Sequence, residues 1–161
     1  MHAAVLHALG KPPRFEEFPD PTPGEGEVLI NVSAAALKPV DKQMAAGTHY
    51  ASPRELPVVC GMDGVGRLED GSRVFFGGAR QPYGAMAEHT VVRRVQCFSV
   101  PEELDDVTAA AIPNPGVSAW LSLLRLRLPA DASSRRRQSR TTQGLRSSAS
   151  SPFGVSANQD S

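Results

Sequence analysis

The sequence contains little that would hold a secreted or membrane-embedded fold together. Its 161 residues include two cysteines, Cys60 and Cys97, which are too few for a disulfide framework and suit a reducing compartment. No apolar run approaches the roughly 18 residues of a membrane-spanning helix, and the N-terminus lacks the basic start of a signal peptide. We therefore expect a cytoplasmic protein with no membrane partner.

Basic residues are also not clustered as a nucleic-acid-binding surface requires. The chain carries 17 basic and 17 acidic residues, with the acidic excess in residues 1–128 and the basic excess in residues 129–161. Arg135, Arg136 and Arg137 form the one basic cluster, and no aromatic residue is interleaved with them. Because nucleic-acid-binding surfaces combine dense basic patches with stacking aromatics, we expect no nucleic-acid partner.

Large apolar residues nearly disappear from the last part of the chain, residues 129–161. These 33 residues contain nine Ser and five Arg but three large apolar side chains, Leu145, Phe153 and Val155. They cannot bury enough apolar surface to offset an ordering entropy of roughly 1–2 kcal/mol per residue. The sequence therefore predicts one ordered domain, residues 1–128, followed by a disordered Ser/Arg-rich tail, residues 129–161.

Short β-branched and apolar runs between Gly and Pro clusters dominate the ordered part. The run 28–36 is the strongest strand signal, and the turn at 69–71 predicts a hairpin between 61–68 and 72–76. Many short strands with a turn signal every 8–12 residues are typical of a small barrel or sandwich. Further strands are predicted at 3–6, 15–18, 58–60, 85–92 and 97–100.

Helical signals are few. Residues 39–46 predict a short helix, and Asp105 is a suitable N-cap for a second helix over 106–111 that Pro113 ends. A third helix is predicted after Pro115, which suits a first turn. Its apolar residues fall at helical spacing on one face: Val117, Trp120, Leu121, Leu124 and Leu128. The prediction is a mainly β fold with two or three short helices.

Five segments follow one another along residues 3–124. They are MHAAVLHALGKPPRFEEFPDPTPGEGEVLINVSAAAL, LKPVDKQMAAGTHY, LPVVCGMDGVGRLEDGSRVFF, YGAMAEHTVV and LDDVTAAAIPNPGVSAWLSL. In this order they resemble the N-terminal, GroES-like domain of the medium-chain dehydrogenase/reductase superfamily, and within it the zinc-independent quinone oxidoreductases. The resemblance implies a GroES-like, strongly twisted β-barrel.

The same resemblance bears on metal binding. Zinc-dependent members of the superfamily have a Gly-His-Glu segment, whose His is a ligand, and a four-cysteine lobe for a structural zinc. Here the first segment consists of Gly61, Met62 and Asp63, and two cysteines cannot build the lobe. A thioether is a poor match for the ligands that zinc prefers, so we expect no zinc.

In such reductases the barrel supplies one wall of the cleft where the substrate lies against the nicotinamide. The matching positions are Lys38, Asp41 and Tyr50 as substrate-cleft candidates, and Met62 and Ser118 as cofactor-binding candidates. Each polar candidate has a plainer interpretation. Lys38 suits a solvated loop, Asp41 a helix cap, Tyr50 an aromatic packed on the barrel, and Ser118 the first turn of a helix.

The resemblance implies NADPH or NADH as cofactor and a small quinone, enone or carbonyl as substrate. The nucleotide site of these enzymes is a Rossmann domain, in which phosphates lie on a Gly-rich turn between a strand and a helix. No such pattern follows Leu124, and no helix follows the Gly clusters at 61–66 and 77–78. We therefore expect a truncated substrate-side domain that is inactive alone and binds no nucleotide tightly.

Two alternatives stay open at this stage. We hypothesise that residues 129–161 are an out-of-frame ending on a reductase gene, because their Ser/Arg/Pro/Ala bias is typical of a shifted GC-rich frame. A natural disordered tail is the other interpretation. The same barrel also builds co-chaperonin rings, so a non-catalytic binding or assembly module is the alternative function. An apolar helix over 116–128 that nothing covers would favour self-association.

Overall fold

Strands outnumber helices in this computed structural model, which describes residues 1–127 and the side chains up to residue 124. The strands are β1 (His2–Leu6), β2 (Arg14–Glu17), β3 (Glu27–Ala34), β4 (Val58–Val59), β5 (Asp63–Arg67), β6 (Arg73–Gly77), β7 (His89–Arg93) and β8 (Cys97–Ser99). The helices are α1 (Pro39–Ala46), α2 (Asp106–Ala111) and α3 (Pro113–Arg127), and a 3-10 turn (Arg94–Gln96) precedes β8.

The strands pair into two antiparallel sheets. A three-stranded sheet has the order β2-β1-β4, and a five-stranded sheet has the order β7-β3-β5-β6-β8. The predicted hairpin joins β5 to β6, with Arg67 opposite Arg73. The strand predicted to be central, β3, pairs with both β7 and β5, and its register against β5 shifts between Val32 and Ala34.

Apolar side chains from both sheets are buried in three clusters. The largest lies in the five-stranded sheet and includes the fully buried Ile30, Phe76 and Val92. A second cluster, centred on Val5, belongs to the three-stranded sheet. The third joins β5 to α2 through Val65 and the small α2 residues Ala109 and Ala110. The alternation of buried and half-buried residues along β6 is the pattern of a strand with one face on a core.

The helices begin and end where local chemistry dictates. α1 has the predicted bounds and ends at Gly47, whose φ of 77° is left-handed. Asp105 caps α2 as predicted, because its Oδ1 accepts a hydrogen bond of 2.9 Å from the Thr108 N–H. α3 begins at Pro113, earlier than predicted, because Ile112 keeps a right-handed helical conformation after α2 and Pro113 suits a first turn.

The predicted mainly β fold with two or three short helices is confirmed. Residues up to Val117 form one compact unit, and Ser118 begins a second unit, of which the structure describes α3 as far as Arg127. On α3 the side chains of Trp120 and Leu121 are exposed. The predicted disordered tail, 129–161, lies outside the described residues, so the domain boundary at residue 128 stays a prediction.

Candidate functional site

A cleft of about 260 Å³ opens beside α1 and the turn that precedes β5. Aliphatic, thioether and aromatic groups make up most of its wall, and one charged residue, Asp41, contributes to it. Such a wall suits a ligand that is small and largely apolar. The lining residues are Leu6, Asp41, Met44, Ala45, Ala51, Pro53, Val58, Val59, Cys60, Gly61, Met62, Gly78, Ala79, Gln81 and Tyr83.

Asp41 joins the start of α1 to this turn. Its Oδ2 accepts a 2.8 Å hydrogen bond from the Lys38 N–H, which is the capping contact expected of an acidic residue in a first turn. Its Oδ1 accepts a 3.1 Å hydrogen bond from the Met62 N–H. One buried carboxylate therefore caps the helix and also fixes the backbone of a cleft residue.

Lys38 lies beneath the cleft wall, with its side chain 9% exposed. Its Nζ lies 2.7 Å from Asp63 Oδ1, 2.8 Å from the Ala36 carbonyl oxygen and 3.3 Å from Asp41 Oδ2. A buried ammonium needs such partners because burial of an unpaired charge is very costly. The interpretation of Lys38 as a solvated loop residue is therefore wrong for this fold.

The turn that carries Met62 packs tightly against the neighbouring loop. Gly61 has a φ of 97°, and a Cβ built on it would lie 2.9 Å from Met86 Cγ. Backbone hydrogen bonds of 3.0 Å from the Ala85 N–H to the Gly61 carbonyl and of 2.9 Å from the Met86 N–H to the Cys60 carbonyl hold the two segments together. This part of the cleft wall is consequently well defined by its backbone.

Cys60 places a thiol on the same wall. The side chain is half-buried, and its backbone N–H donates a 2.9 Å hydrogen bond to the Ala4 carbonyl of β1. Burial raises the pKa of the Cys60 thiol, and the negative charge of Asp41 raises that pKa further. At neutral pH the group is therefore a thiol, without the thiolate character of a catalytic nucleophile.

Tyr83 is the aromatic residue of the cleft, and it was not among the predicted site residues. The Phe18 ring meets its edge at 6.0 Å between centroids, and the Arg80 guanidinium lies 5.8 Å from its ring centroid. Its hydroxyl donates a 3.4 Å hydrogen bond to the Asp20 carbonyl. The one local signal is an aromatic residue in a Gly/Pro-rich turn between two predicted strands, which does not indicate a cleft.

The structure brings three of the five predicted site residues together at the cleft. Asp41 and Met62 line the cleft, and Lys38 lies beneath it. Tyr50 does not line the cleft, since it is 96% exposed and its ring meets the His49 ring, 4.2 Å away between centroids. Ser118 lies on α3 in the second unit, where its carbonyl accepts a 2.8 Å hydrogen bond from Ser122 Oγ. The roles assigned to these residues stay predictions.

Metal-ligating side chains are not gathered anywhere in the described part of the chain. Within residues 1–127, no group of three or more His, Cys, Asp or Glu side chains is placed to hold an ion. The same residues include no helix with the length and apolar character needed to cross a membrane. Cys60 and Cys97 are both free thiols.

Comparison with known proteins agrees with this architecture. Residues 24–102 match the alcohol dehydrogenase GroES-like domain. The match spans just under half of the 161-residue chain. The predicted GroES-like fold and the resemblance to the medium-chain dehydrogenase/reductase superfamily are thereby confirmed.

Among curated relatives, the quinone oxidoreductase of Lama guanicoe is 36% identical over 118 residues, which cover 65% of this chain and 34% of that protein. Among solved structures, the quinone oxidoreductase of Thermus thermophilus, also determined in complex with NADPH, superposes with a TM-score of 0.71 at 34% identity. That match covers 78% of this chain and 40% of the solved chain. A mycobacterial protein complexed with NADPH gives a TM-score of 0.66 at 30% identity, covering 74% of this chain and 38% of that one. The chain thus spans about a third of the length of the curated relatives it matches.

Proposed function

We propose that the GroES-like domain forms the substrate side of an NADPH-dependent, zinc-free reductase for quinones, enones or small carbonyl compounds. The observation that carries the proposal is the cleft of about 260 Å³ beside Asp41 and Met62, in a fold shared with quinone oxidoreductases. Its mostly apolar wall suits a neutral ring of one or two cycles. We further propose that Asp41 faces the bound substrate and Met62 the nicotinamide of the cofactor, with Lys38 acting through Asp41.

The residues of the cleft would contribute binding, orientation and exclusion of water. Leu6, Met44 and Val59 offer apolar surface to a planar ring, and Tyr83 lines the same cleft. The hydrogen bond from the Met62 N–H to Asp41 holds that side of the wall in place before any ligand arrives. Hydride transfer depends on such preorganisation, because the cofactor supplies the hydride and the protein supplies binding and orientation.

NADPH fits the described residues only in part. The cleft has room for a small planar ring system, and NADPH would supply the hydride for the reduction when bound. For the phosphates, residues 1–127 offer no Gly-rich turn between a strand and a helix N-terminus. Gly61, Gly64 and Gly66 lie on or beside β5, which turns into a second strand. We therefore propose that the 161-residue chain alone does not bind the dinucleotide tightly and does not turn over.

Two measurements on the full chain test this proposal. Steady oxidation of NADPH with quinone acceptors should be absent, and sustained turnover by the pure protein would contradict the predicted inactivity. In parallel, 2-naphthol, an unreactive bicyclic ring, should shift the backbone amide signals of residues 58–62. Ala51→Trp, which fills the cleft from an exposed position, should abolish those shifts, whereas Ala8→Trp, exposed outside the cleft, should preserve them. Naphthol shifts that survive in the Ala51→Trp variant would place the ligand elsewhere.

The alternative function, a non-catalytic assembly module, predicts a different behaviour in solution. A ring of defined size near that of a heptamer, measured by light scattering, would favour the module. We propose instead limited self-association through α3, whose Trp120 and Leu124 side chains are 64% and 42% exposed. Trp120→Gln should then shift the protein toward the monomer. A native chain that is already monomeric at all concentrations would contradict that part of the proposal.

A further inference from the structure

The ammonium of Lys38 is fully engaged by the protein. An ammonium has three N–H donors, and Nζ has three oxygen neighbours, on Ala36, Asp63 and Asp41, at 2.8, 2.7 and 3.3 Å. The contacts with Ala36 and Asp63 are hydrogen bonds and that with Asp41 is an ion pair, and Lys38 is not among the residues that line the cleft. Polarisation of a substrate carbonyl by this lysine is therefore not available in this structure. What the lysine does instead is neutralise one of the two carboxylates around it.

The charges beneath the cleft do not balance. Asp41 and Asp63 contribute two negative charges and Lys38 one positive charge, and all three side chains are less than a tenth exposed. The uncompensated charge is therefore negative, and Asp41 is the member of the trio that lines the cleft. Arg80, which lies in sequence between the lining residues Ala79 and Gln81, is partnered, since its Nε lies 3.1 Å from Glu27 Oε1 and its Nη2 donates to the Thr22 carbonyl at 2.9 Å.

We propose that the negative charge centred on Asp41 makes the cleft select uncharged and cationic ligands and reject anionic ones such as carboxylates and sulfonates. This inference rests on the proposed function, because it narrows the substrates of the same cleft to neutral quinones, enones and carbonyl compounds. The physical basis is that a like charge brought into a partly desolvated cleft is poorly screened by water and by salt. Asp41 thereby acts as a specificity determinant as well as a helix cap.

Cys60 is a built-in reporter of this selectivity, because its thiol lines the cleft close to Asp41. Iodoacetamide and iodoacetate alkylate a thiol by the same displacement of iodide, but only iodoacetate is an anion. The degree of ionisation of the thiol affects both rates equally, so the ratio of the two rates reports the electrostatic potential met by the reagent. Cys97 serves as an internal control, since its half-buried thiol lies near Arg94 rather than a carboxylate.

The experiment measures the iodoacetamide-to-iodoacetate rate ratio at each cysteine in the full 161-residue chain. Each ratio is divided by that of the same thiol in urea-unfolded protein. We expect a ratio about tenfold above this reference at Cys60 and a ratio at or below the reference at Cys97. Asp63→Asn removes one charge from the trio without touching the Asp41 cap and should bring Cys60 to within about threefold of its reference. Asp70→Asn, in the exposed β5–β6 turn, should leave the Cys60 ratio unchanged.

A folded Asp63→Asn protein that keeps the high ratio at Cys60 overturns the proposal, as does a native ratio at Cys60 that equals its reference. If Asp63→Asn does not fold, Asp41→Asn replaces it with the same expected result, because the amide oxygen can still accept the Met62 N–H. The 2-naphthol titration separates this inference from the proposed function. If 2-naphthol fails to bind, the proposed substrate cleft is wrong, whatever the alkylation ratios are. If 2-naphthol binds but the rate ratio at Cys60 equals its reference in unfolded protein, only the proposed charge selectivity is wrong.

Discussion

Lys38 and Asp63 form a buried ion pair across 25 residues of sequence, with Lys38 Nζ 2.7 Å from Asp63 Oδ1. The pair ties the segment before α1 to the first residue of β5. Asp41 completes the group from within α1. Because Met62 lines the cleft and directly precedes Asp63, the same contacts position the cleft wall.

Lys38→Met should destabilise the domain strongly, because it leaves Asp41 and Asp63 buried without their cation. Breaking a buried pair by removing one partner costs about 3–5 kcal/mol. The free energy of unfolding from urea titration measures the loss. Lys42→Met, at an exposed position on α1, is the matched control and should change stability by less than about 0.5 kcal/mol. Equal effects of the two substitutions would show that the ion pair contributes little.

Thr90 carries a buried hydroxyl group, and in contrast to Lys38 its removal should stabilise the domain. Within the described residues, its Oγ1 is the buried side-chain oxygen or nitrogen that has no hydrogen-bond partner, and the residue is 0% exposed. Valine has nearly the same shape without the hydroxyl, so Thr90→Val should stabilise the domain by about 1 kcal/mol. Thermal unfolding followed by circular dichroism measures the shift.

Thr90→Ser is the companion variant, because it keeps the hydroxyl and removes the methyl group. It should lower the unfolding temperature through the lost burial of that methyl group. A Thr90→Val protein that is less stable than the native chain would mean that the hydroxyl has a partner in solution.

Gly61→Ala should destabilise the domain more than Gly71→Ala. Both glycines have positive φ, 97° and 83°, so each alanine carries the strain of the left-handed region, about 1–2 kcal/mol. At Gly61 the new methyl group would also lie 2.9 Å from the Met86 backbone nitrogen, whereas nothing lies within 4 Å of a Cβ at Gly71. The difference between the two losses in urea unfolding isolates the crowding. Losses of equal size would contradict the tight packing of the cleft turn.

Much of the fold was predictable because its signals are local. The bounds of α1, the Asp105 cap of α2 and the β5–β6 hairpin follow from Pro, Asp and Gly at fixed offsets. The start of α3 was misjudged because two prolines compete for its first turn, and the backbone at Ile112 decides between them.

The site was predictable only where a residue acts within its own segment. Asp41 was open to interpretation as a helix cap because it comes just after Pro39 at the start of a predicted helix. Its contact with Met62 and the contact between Lys38 and Asp63 join segments more than 20 residues apart, which no periodicity reveals. Tyr83 reaches the cleft through a loop that is held against β4, where the Val59 N–H donates a 2.8 Å hydrogen bond to the Pro82 carbonyl, and no sequence signal reveals this contact.

Stability should fall in acid, and Asp105 should account for a measurable part of the fall. Hydrogen bonds from the Thr108 hydroxyl and N–H lower the pKa of Asp105 below its usual value. His89 similarly lowers the pKa of Asp20, and the His2 backbone N–H lowers that of Glu88. A depressed folded-state pKa contributes stability that is present above the unfolded pKa of about 4 and is lost as the pH falls through the folded value.

Asp105→Asn isolates this contribution because asparagine still caps α2 but does not titrate in this range. The native chain should therefore unfold at a higher temperature than the variant at pH 7, and the gap should close as the pH falls below the unfolded pKa of about 4 and through the lower folded value. Thermal unfolding of both proteins at intervals of pH measures the gap. Asp131→Asn is a matched control, since Asp131 lies in the segment predicted to be disordered, and it should give no gap at any pH. Only a group whose pKa differs between the folded and unfolded states makes stability depend on pH. If the difference in unfolding temperature between the native chain and Asp105→Asn stays constant down to pH 2, the hydrogen bonds do not hold the Asp105 carboxylate.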